Sequence, residues 1–374
     1  MKVATVIQDS LRSLGGGELV CMSTCVALQR LGYRVQLVSD RFEPNEVEQA
    51  FGMGDVLRKC EHIKIPELGR KLALFSSLPG ILFASRSKQF FEKQNADVIF
   101  VTRDPRRPNV LPDKPLFRFV YELSQLRPFW ENYNWGVKLL YRTTTQQQRT
   151  RTTYLAVSST LSKGLKRVGY ETVELVYPSY GIGFRPRAKK DQVVQVTFLA
   201  PQKRLDDFME IARRLPEYKF YLVGRDTERV NRIYKGHARH LLASKPSNVE
   251  YVESRIREVP ELLEESRIYL HTGIEPGMTI AVMEALSAGC VPIAPAEGGA
   301  AEVIAAAGAG FRYTTIDSAV NFIRSEMNEM TEVTRRRSIS KLASAEIAER
   351  GRIFDLETFQ TRIENVISRE NPTS

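Results

Sequence analysis

Residues 268 to 299 constrain the fold of this chain more than any other stretch. They read IYLHTGIEPGMTIAVMEALSAGCVPIAPAEGG. The apolar strand Ile268 to Leu270 runs into a turn holding Glu275, Pro276 and Gly277. Thr279 is placed as the N-cap of a helix that carries Glu284 and ends at Gly289. A second apolar strand, Val291 to Ala294, follows, with Gly298-Gly299 after it. Two short apolar strands joined by a helix form a parallel crossover unit, which needs cover on both faces of its sheet. The turn and helix N-terminus gather backbone N–H groups and the positive dipole end at one point, a geometry that suits a phosphate.

The same alternation runs through the rest of the chain. Strands are predicted over Lys2 to Ile7, Tyr33 to Ser39, Ala96 to Thr102, Leu116 to Tyr121, Tyr154 to Ser158 and Leu175 to Tyr177. Helices are predicted from Glu18 to Leu31 and from Thr160 to Val168. Pro178 to Asp191 (PSYGIGFRPRAKKD) reads as a linker. Periodicity then restarts with strands Val193 to Leu199, Tyr218 to Val223, Val249 to Val252 and Ile268 to His271, and helices Leu205 to Leu215 and Val259 to Ser266. A turn is expected from Glu302 to Gly310, helices over 316 to 350, and a last helix from Leu356 to Ser368. The fold class is α/β, with two doubly wound domains. Residues 1–183, joined by helix 355–374, form one; residues 184–354 form the other.

Charge is unevenly placed. Residues 1 to 185 hold 27 Lys and Arg against 17 Asp and Glu, which accounts for the whole net charge of +10. Within that half, residues 64 to 94 mix Leu72, Phe75, Phe83, Phe90 and Phe91 with Arg70, Lys71, Arg86 and Lys88. Basic, aromatic helices of this kind bind anionic membrane surfaces, and a core helix pair with a basic outer face is the plainer alternative. No nucleic-acid motif accompanies the charge. No apolar run reaches the length of a membrane span, and no signal peptide is read at the N-terminus. The cysteines Cys21, Cys25, Cys60 and Cys290 form no ligand pattern and read as buried thiols of a cytoplasmic protein.

The segments VTFLAPQKRLDDF, YKFYLVGR, NVEYV and HTGIEPGMTIAVMEALSAGCVPIAPAEGGAAEVI, with GGGE near the start and VYPSYGIGFRP at the linker, resemble the retaining glycosyltransferases of family 4. The resemblance covers most of the chain and is strongest from 193 to 305. It implies the GT-B fold, two Rossmann-like domains facing a central cleft. It also implies transfer of a hexose, of mannose or glucose type, from a GDP- or UDP-linked donor to a polyprenyl-linked or other glycan acceptor, with the protein peripheral on the inner face of a membrane. No cofactor or metal is implied. Alternatives on the same architecture are a sugar-nucleotide epimerase and a nucleotide-sugar-binding protein without transfer.

By the resemblance, Lys203 meets the donor diphosphate, with Arg204 beside it, and Glu284 holds the ribose. Glu275 positions the sugar. Gly277, Met278 and Thr279 offer backbone amides to sugar and phosphate. Gly16 and Gly17 close over the phosphates, and Gly298, Gly299 and Glu302 line the next loop. Three departures stand out. Glu275 and Glu284 lie one residue further apart than the family's paired acids, so either a bulge restores Glu275 to the sugar or that contact is lost. Phe198 stands where the family usually has an arginine, with Arg204 or Arg225 as substitutes. Tyr121-Glu122 stands where the family often has a histidine, which makes Glu122 the third catalytic candidate beside Lys203 and Glu275.

Overall fold

A computed structural model describes residues 1–8, 11, 15–40, 42–64, 95–103, 114–122, 152–181, 183–224, 236–253, 259–275, 277–328 and 343–370. The basic segment 64–94, an aromatic loop at 123–135, Arg225 and Pro276 lie outside those residues or almost wholly so. Two compact units divide the chain: Met1–Gly181 with Leu356–Ser374, and Ile182–Asp355.

Among the described residues, the first unit contains β1 (Val3–Gln8), α1 (Gly16–Arg30), β2 (Arg34–Ser39), α2 (Pro44–Phe51), α3 (Gly54–Arg58), β3 (Glu61–Lys64), β4 (Val98–Arg103), β5 (Leu116–Val120), β6 (Thr152–Ala156), α4 (Ser159–Arg167) and β7 (Val173–Leu175). Its strands pair in parallel in the order β3-β2-β1-β4-β5-β6-β7. Every residue of β1 is buried, which is why its sequence shows no alternation of apolar with solvent-facing residues; its buried Thr5 hydroxyl donates to Gln36 of β2 at 3.2 Å. The α1 helix begins at Gly16, two residues earlier than expected, with Gly15 as N-cap. Its buried Glu18 turns back to accept from the Gly15 N–H at 3.0 Å, the one half of a capping box open to a glycine N-cap, and this starts the helix inside the glycine run. Gly32 ends it at φ 81°, where the Gly32 and Tyr33 N–H groups bond back to the Gln29 and Leu28 carbonyls. The elements α2, α3 and β3 are absent from the sequence reading, because they are short and largely polar.

Among the described residues, the second unit contains β8 (Lys190–Val196), a 3-10 turn (Pro201–Lys203), α5 (Leu205–Arg213), β9 (Lys219–Gly224), α6 (His237–Ala243), β10 (Val249–Glu253), α7 (Val259–Glu265), β11 (Ser266–Leu270), α8 (Ile280–Ser287), β12 (Val291–Pro295), α9 (Gly299–Ala307), β13 (Phe311–Tyr313), α10 (Ile316–Asn328), α11 (Ser344–Gly351) and a 3-10 turn at Arg352–Phe354. The strand order is β10-β9-β8-β11-β12-β13, again parallel throughout. Two expectations are corrected. The stretch after Glu302 is not a turn: residues 299 to 307 are the helix α9, because GAAEVIAAA is rich in helix-forming alanine. The linker is shorter than predicted, since β8 already starts at Lys190. The core joins Val193, Phe208, Phe220, Ile268 and Ile293, with the Phe208 and Phe220 rings edge to face at 5.6 Å.

The final helix, α12 (Leu356–Glu370), belongs to the first unit and packs along α1. Phe359 and Ile363 are fully buried, with Phe359 stacked on Phe119.

Lys189, just ahead of β8, ties two helix ends together. Its ammonium donates to the carbonyls of Glu264 (2.8 Å) and Ala288 (2.6 Å), at the C-termini of α7 and α8. Burial lowers its pKa, opposed by Cys290 and Glu264. Lys189→Met should cost the second unit about 2–3 kcal/mol in urea unfolding, because both carbonyls lose a charged donor.

Candidate functional site

The strand order of the second unit reverses between β8 and β11. From β8 the chain proceeds outward through β9 and β10, then returns to place β11 on the other side of β8. Loops leaving the carboxyl ends of these two strands diverge and open a crevice, the usual ligand position in an open parallel sheet. Lys203 lies in the loop after β8, and residues 271 to 279 form the loop after β11.

These loops meet in a charged cluster. The Lys203 Nζ lies 2.5 Å from Glu275 Oε1, and His271 Nε2 lies 3.2 Å from Glu275 Oε2. Lys203 and Glu275 are partly exposed, whereas His271 is 1% exposed. Burial alone would raise the Glu275 carboxyl; the hydrogen bond from His271 and the Lys203 charge overcome it and hold the group at about 2. Burial lowers the His271 pKa, against the pull of Glu275. The imidazole is therefore neutral at pH 7, and since a carboxylate only accepts, Nε2 carries the proton.

Three further side chains anchor the loops. Thr272 Oγ1 donates to the Lys203 carbonyl at 2.7 Å and shares a buried contact with Gln195 at 3.2 Å. The Tyr313 hydroxyl donates to the His271 carbonyl at 3.3 Å, and the Tyr269 hydroxyl to the Val196 carbonyl at 3.1 Å. Consecutive residues His271 and Thr272 thus hold the side chain of one ion-pair partner and the backbone of the other. Neither has a role in the sequence reading. The signal available was two polar residues directly following a buried strand, at the end where ligands bind.

The turn after β11 rests on α9. The Gly299 N–H donates to the Glu275 carbonyl at 2.7 Å. A Cβ on Gly299 would lie 1.8 Å from the Gly277 carbonyl oxygen, and one on Gly298 would lie 2.8 Å from the Glu275 oxygen at a backbone φ of 88°. Gly298 and Gly299 are therefore required by close backbone approach.

Thr279 is the N-cap of α8 by backbone position, yet its side chain makes no capping hydrogen bond. Gly277, Met278 and Thr279 are partly exposed at this helix N-terminus, whose first amides have no intrahelical acceptor. Glu284 lies on the second turn, and lost hydration pushes its carboxyl up to about 7. Among the described residues no hydrogen bond or ion pair joins it to Lys203, Glu275 or His271. The buried Tyr269 hydroxyl feels the charge of Glu284 and, less strongly, that of Glu275.

A pH dependence follows from Glu284. Its folded-state pKa exceeds the ordinary 4.5, so the unfolded chain releases this proton first as pH rises. Glu284 costs nothing below pH 4.5, and stability falls between there and pH 7 by up to about 3 kcal/mol. Glu284→Gln should remove that fall, read as a flatter profile of urea midpoint against pH.

Arg204 adopts φ 49° and turns its guanidinium to Asp207 at 2.6 Å. Phe198 is 47% exposed in the loop after β8, and no cation replaces it there among the described residues other than Lys203 and Arg204. Gly16, Gly17 and Glu122 belong to the first unit. Gly16 and Gly17 form the first turn of α1, and Glu122 is exposed beyond β5. Among the described residues no helix is long and apolar enough to cross a membrane.

Comparison with known proteins places this geometry in context. No curated protein matches the sequence. Among solved structures, a glycosyltransferase from Rickettsia africae ESF-5 is similar at TM-score 0.70 and 14% identity, over 100% of both chains. HepE of Anabaena, determined in complex with UDP and glucose, gives TM-score 0.67 and 16% identity over 98% of this chain and 100% of its own. WaaG, a glycosyltransferase involved in lipopolysaccharide biosynthesis, gives TM-score 0.62 and 17% identity over 98% and 99%. At such identities the likeness is one of fold: two parallel-sheet, Rossmann-like domains of the GT-B type. Residues 184–329 match the family described as glycosyl transferases group 1, so the unit carrying Lys203, His271, Glu275 and Glu284 bears the sequence pattern of that group.

Proposed function

We propose that the chain is a retaining glycosyltransferase that moves a hexose from a GDP- or UDP-linked donor to a lipid-linked or other glycan acceptor at a membrane surface. The observation that carries this reading is the Lys203–Glu275 pair at the strand-order reversal, beside the N-terminus of α8 and inside the span matched to group 1. Likeness to HepE, solved with UDP and glucose, supports a nucleotide-sugar donor.

In this reading the diphosphate lies between Lys203 and the first amides of α8, at Gly277, Met278 and Thr279. The bond from the sugar's anomeric carbon to the diphosphate breaks, and the negative charge that develops is met by a fixed cation and a helix terminus. The acceptor hydroxyl forms the new bond on the same face and passes its proton to the departing phosphate oxygen. No protein nucleophile and no metal enter this scheme. Glu275 orients the sugar hydroxyls, and Glu284 meets the ribose, whose hydroxyls restore the hydration its carboxyl has lost. Gly16 and Gly17, with the amides of the first α1 turn, are assigned to the donor phosphates, and Glu122 to the acceptor side. The basic segment 64–94 is assigned to an anionic membrane surface.

A thermal-shift series with UDP-glucose, GDP-mannose and their nucleoside diphosphates tests donor binding. Release of nucleoside diphosphate, with and without a polyprenyl-phosphate-linked glycan, then tests transfer. No shift with any nucleotide sugar rejects the reading. Binding without turnover on any acceptor favours a donor-binding protein, a reading supported by the apolar Phe198 where the family resemblance expects a cation.

A further inference from the structure

Resting on the donor-site reading above, we propose that His271 and Thr272 are positioning residues that divide the site between them: His271 sets the sugar-facing carboxylate and Thr272 sets the phosphate-facing lysine. The two are adjacent in the chain and point into different halves of one ion pair. His271 Nε2–H reaches Glu275 Oε2 at 3.2 Å, and Thr272 Oγ1 reaches the Lys203 carbonyl at 2.7 Å.

Each is held rigidly. The His271 N–H donates to the Ile293 carbonyl of β12 at 2.7 Å, and the His271 carbonyl accepts from Tyr313. Thr272 is fully buried and braced by Gln195 of β8. Without ligand, Glu275 is held at both oxygens, by Lys203 at Oε1 and by His271 at Oε2. A diphosphate competes for the Lys203 ammonium, because both partners are anionic oxygens and the phosphate carries more charge. Once Lys203 turns to phosphate, Oε1 is free to accept a sugar hydroxyl. Only His271 then keeps the carboxylate in register. A lysine shared in this way makes the nucleotide end of the donor open the subsite for its sugar end. The charged groups that face His271 are Glu275 and Lys203.

The test compares nucleotide with nucleotide sugar by calorimetry, using UDP against UDP-glucose and GDP against GDP-mannose. His271→Leu is expected to weaken the nucleotide sugar about tenfold while leaving the bare diphosphate within about twofold, the effect of one hydrogen bond to a charged group. His271→Gln, whose amide reaches the Nε2 position, is expected to restore most of the loss. Thr272→Val is expected to weaken both ligands alike, because it acts through Lys203. Equal effects of His271→Leu on both ligands, or no effect on either, overturn the proposal. So does a Gln variant no better than the Leu variant. One readout needs no ligand: side-chain carboxyl NMR should show the Glu275 titration moving up from about 2 in His271→Leu. If it does not move, the coupling is wrong even where the donor reading holds. If it moves while the wild type binds no nucleotide, the donor reading fails instead.

Discussion

Replacing Lys203 by methionine is expected to slow sugar transfer by about a hundredfold to a thousandfold, the usual effect of losing one preorganised group that meets a developing oxyanion. Methionine keeps the bulk of the side chain, so the packing of the 3-10 turn and the Thr272 bond to the Lys203 carbonyl remain. What goes is a single positive charge. The second consequence is electrostatic and visible without substrate. Glu275 sits near 2 because His271 and Lys203 both favour its anion against burial. A carboxylate with a depressed folded pKa stabilises the protein above its ordinary value of 4.5 and loses that contribution as pH falls toward 2. In Lys203→Met the Glu275 pKa should rise and the acid-side loss of stability should shrink. Urea midpoints measured between pH 3 and 7 on both proteins check this. A variant that transfers sugar at the wild-type rate removes Lys203 from the chemistry.

Gly299→Ala is the structural counterpart. The added methyl would sit 1.8 Å from the Gly277 carbonyl oxygen and 2.4 Å from its carbon, and neither is the yielding end of a flexible side chain. The turn from Glu275 to Met278 has to move away from α9. That breaks the Gly299 N–H bond to the Glu275 carbonyl and carries the carboxylate off its partners. A stability loss of about 1–3 kcal/mol is expected, with nucleotide-sugar affinity falling well beyond it. Gly17→Ala is the control. A Cβ there meets nothing within 4 Å and the position is helical, so stability should hold or rise by about 0.5–1 kcal/mol. Paired thermal unfolding curves separate the two glycines, and an unperturbed Gly299→Ala protein contradicts the close approach.

The two-unit α/β architecture was legible because parallel strands buried on both faces leave short, mostly apolar runs without alternation, as in Val3 to Ile7 and Ile268 to Leu270. Helix ends were legible where glycine marks them, at Gly32 and Gly289. Short polar elements were not: α2, α3 and β3 owe their structure to neighbours rather than to their own pattern. Alanine misled in the other direction, since Ala305 to Ala307, inside the stretch Glu302 to Gly310 that reads as a turn, complete α9, which stops only at Gly308. At the site, the family resemblance pointed to Lys203 and Glu275 separately. The sequence left open whether the extra residue before Glu284 displaced Glu275 altogether. In the structure the Glu275 carboxylate lies against Lys203, across 72 positions of chain that no local pattern connects. His271 escaped notice for a different reason: its partner Glu275 is only four residues on, but the two face each other through the turn that follows β11, and no helical or strand periodicity marks that pairing.

The assignment of α12 to the first unit has a bearing on how the protein is made. During synthesis the second unit, Ile182–Asp355, is complete before α12 leaves the ribosome. The first unit by then has its sheet but lacks the helix that covers α1 and Phe119. Phe359, Ile363, Val366 and Ile367 supply that cover, and until they arrive an apolar face stays open to water. The first unit is thus closed by a helix that follows the whole second unit in sequence, and its apolar face is covered only once α12 docks along α1.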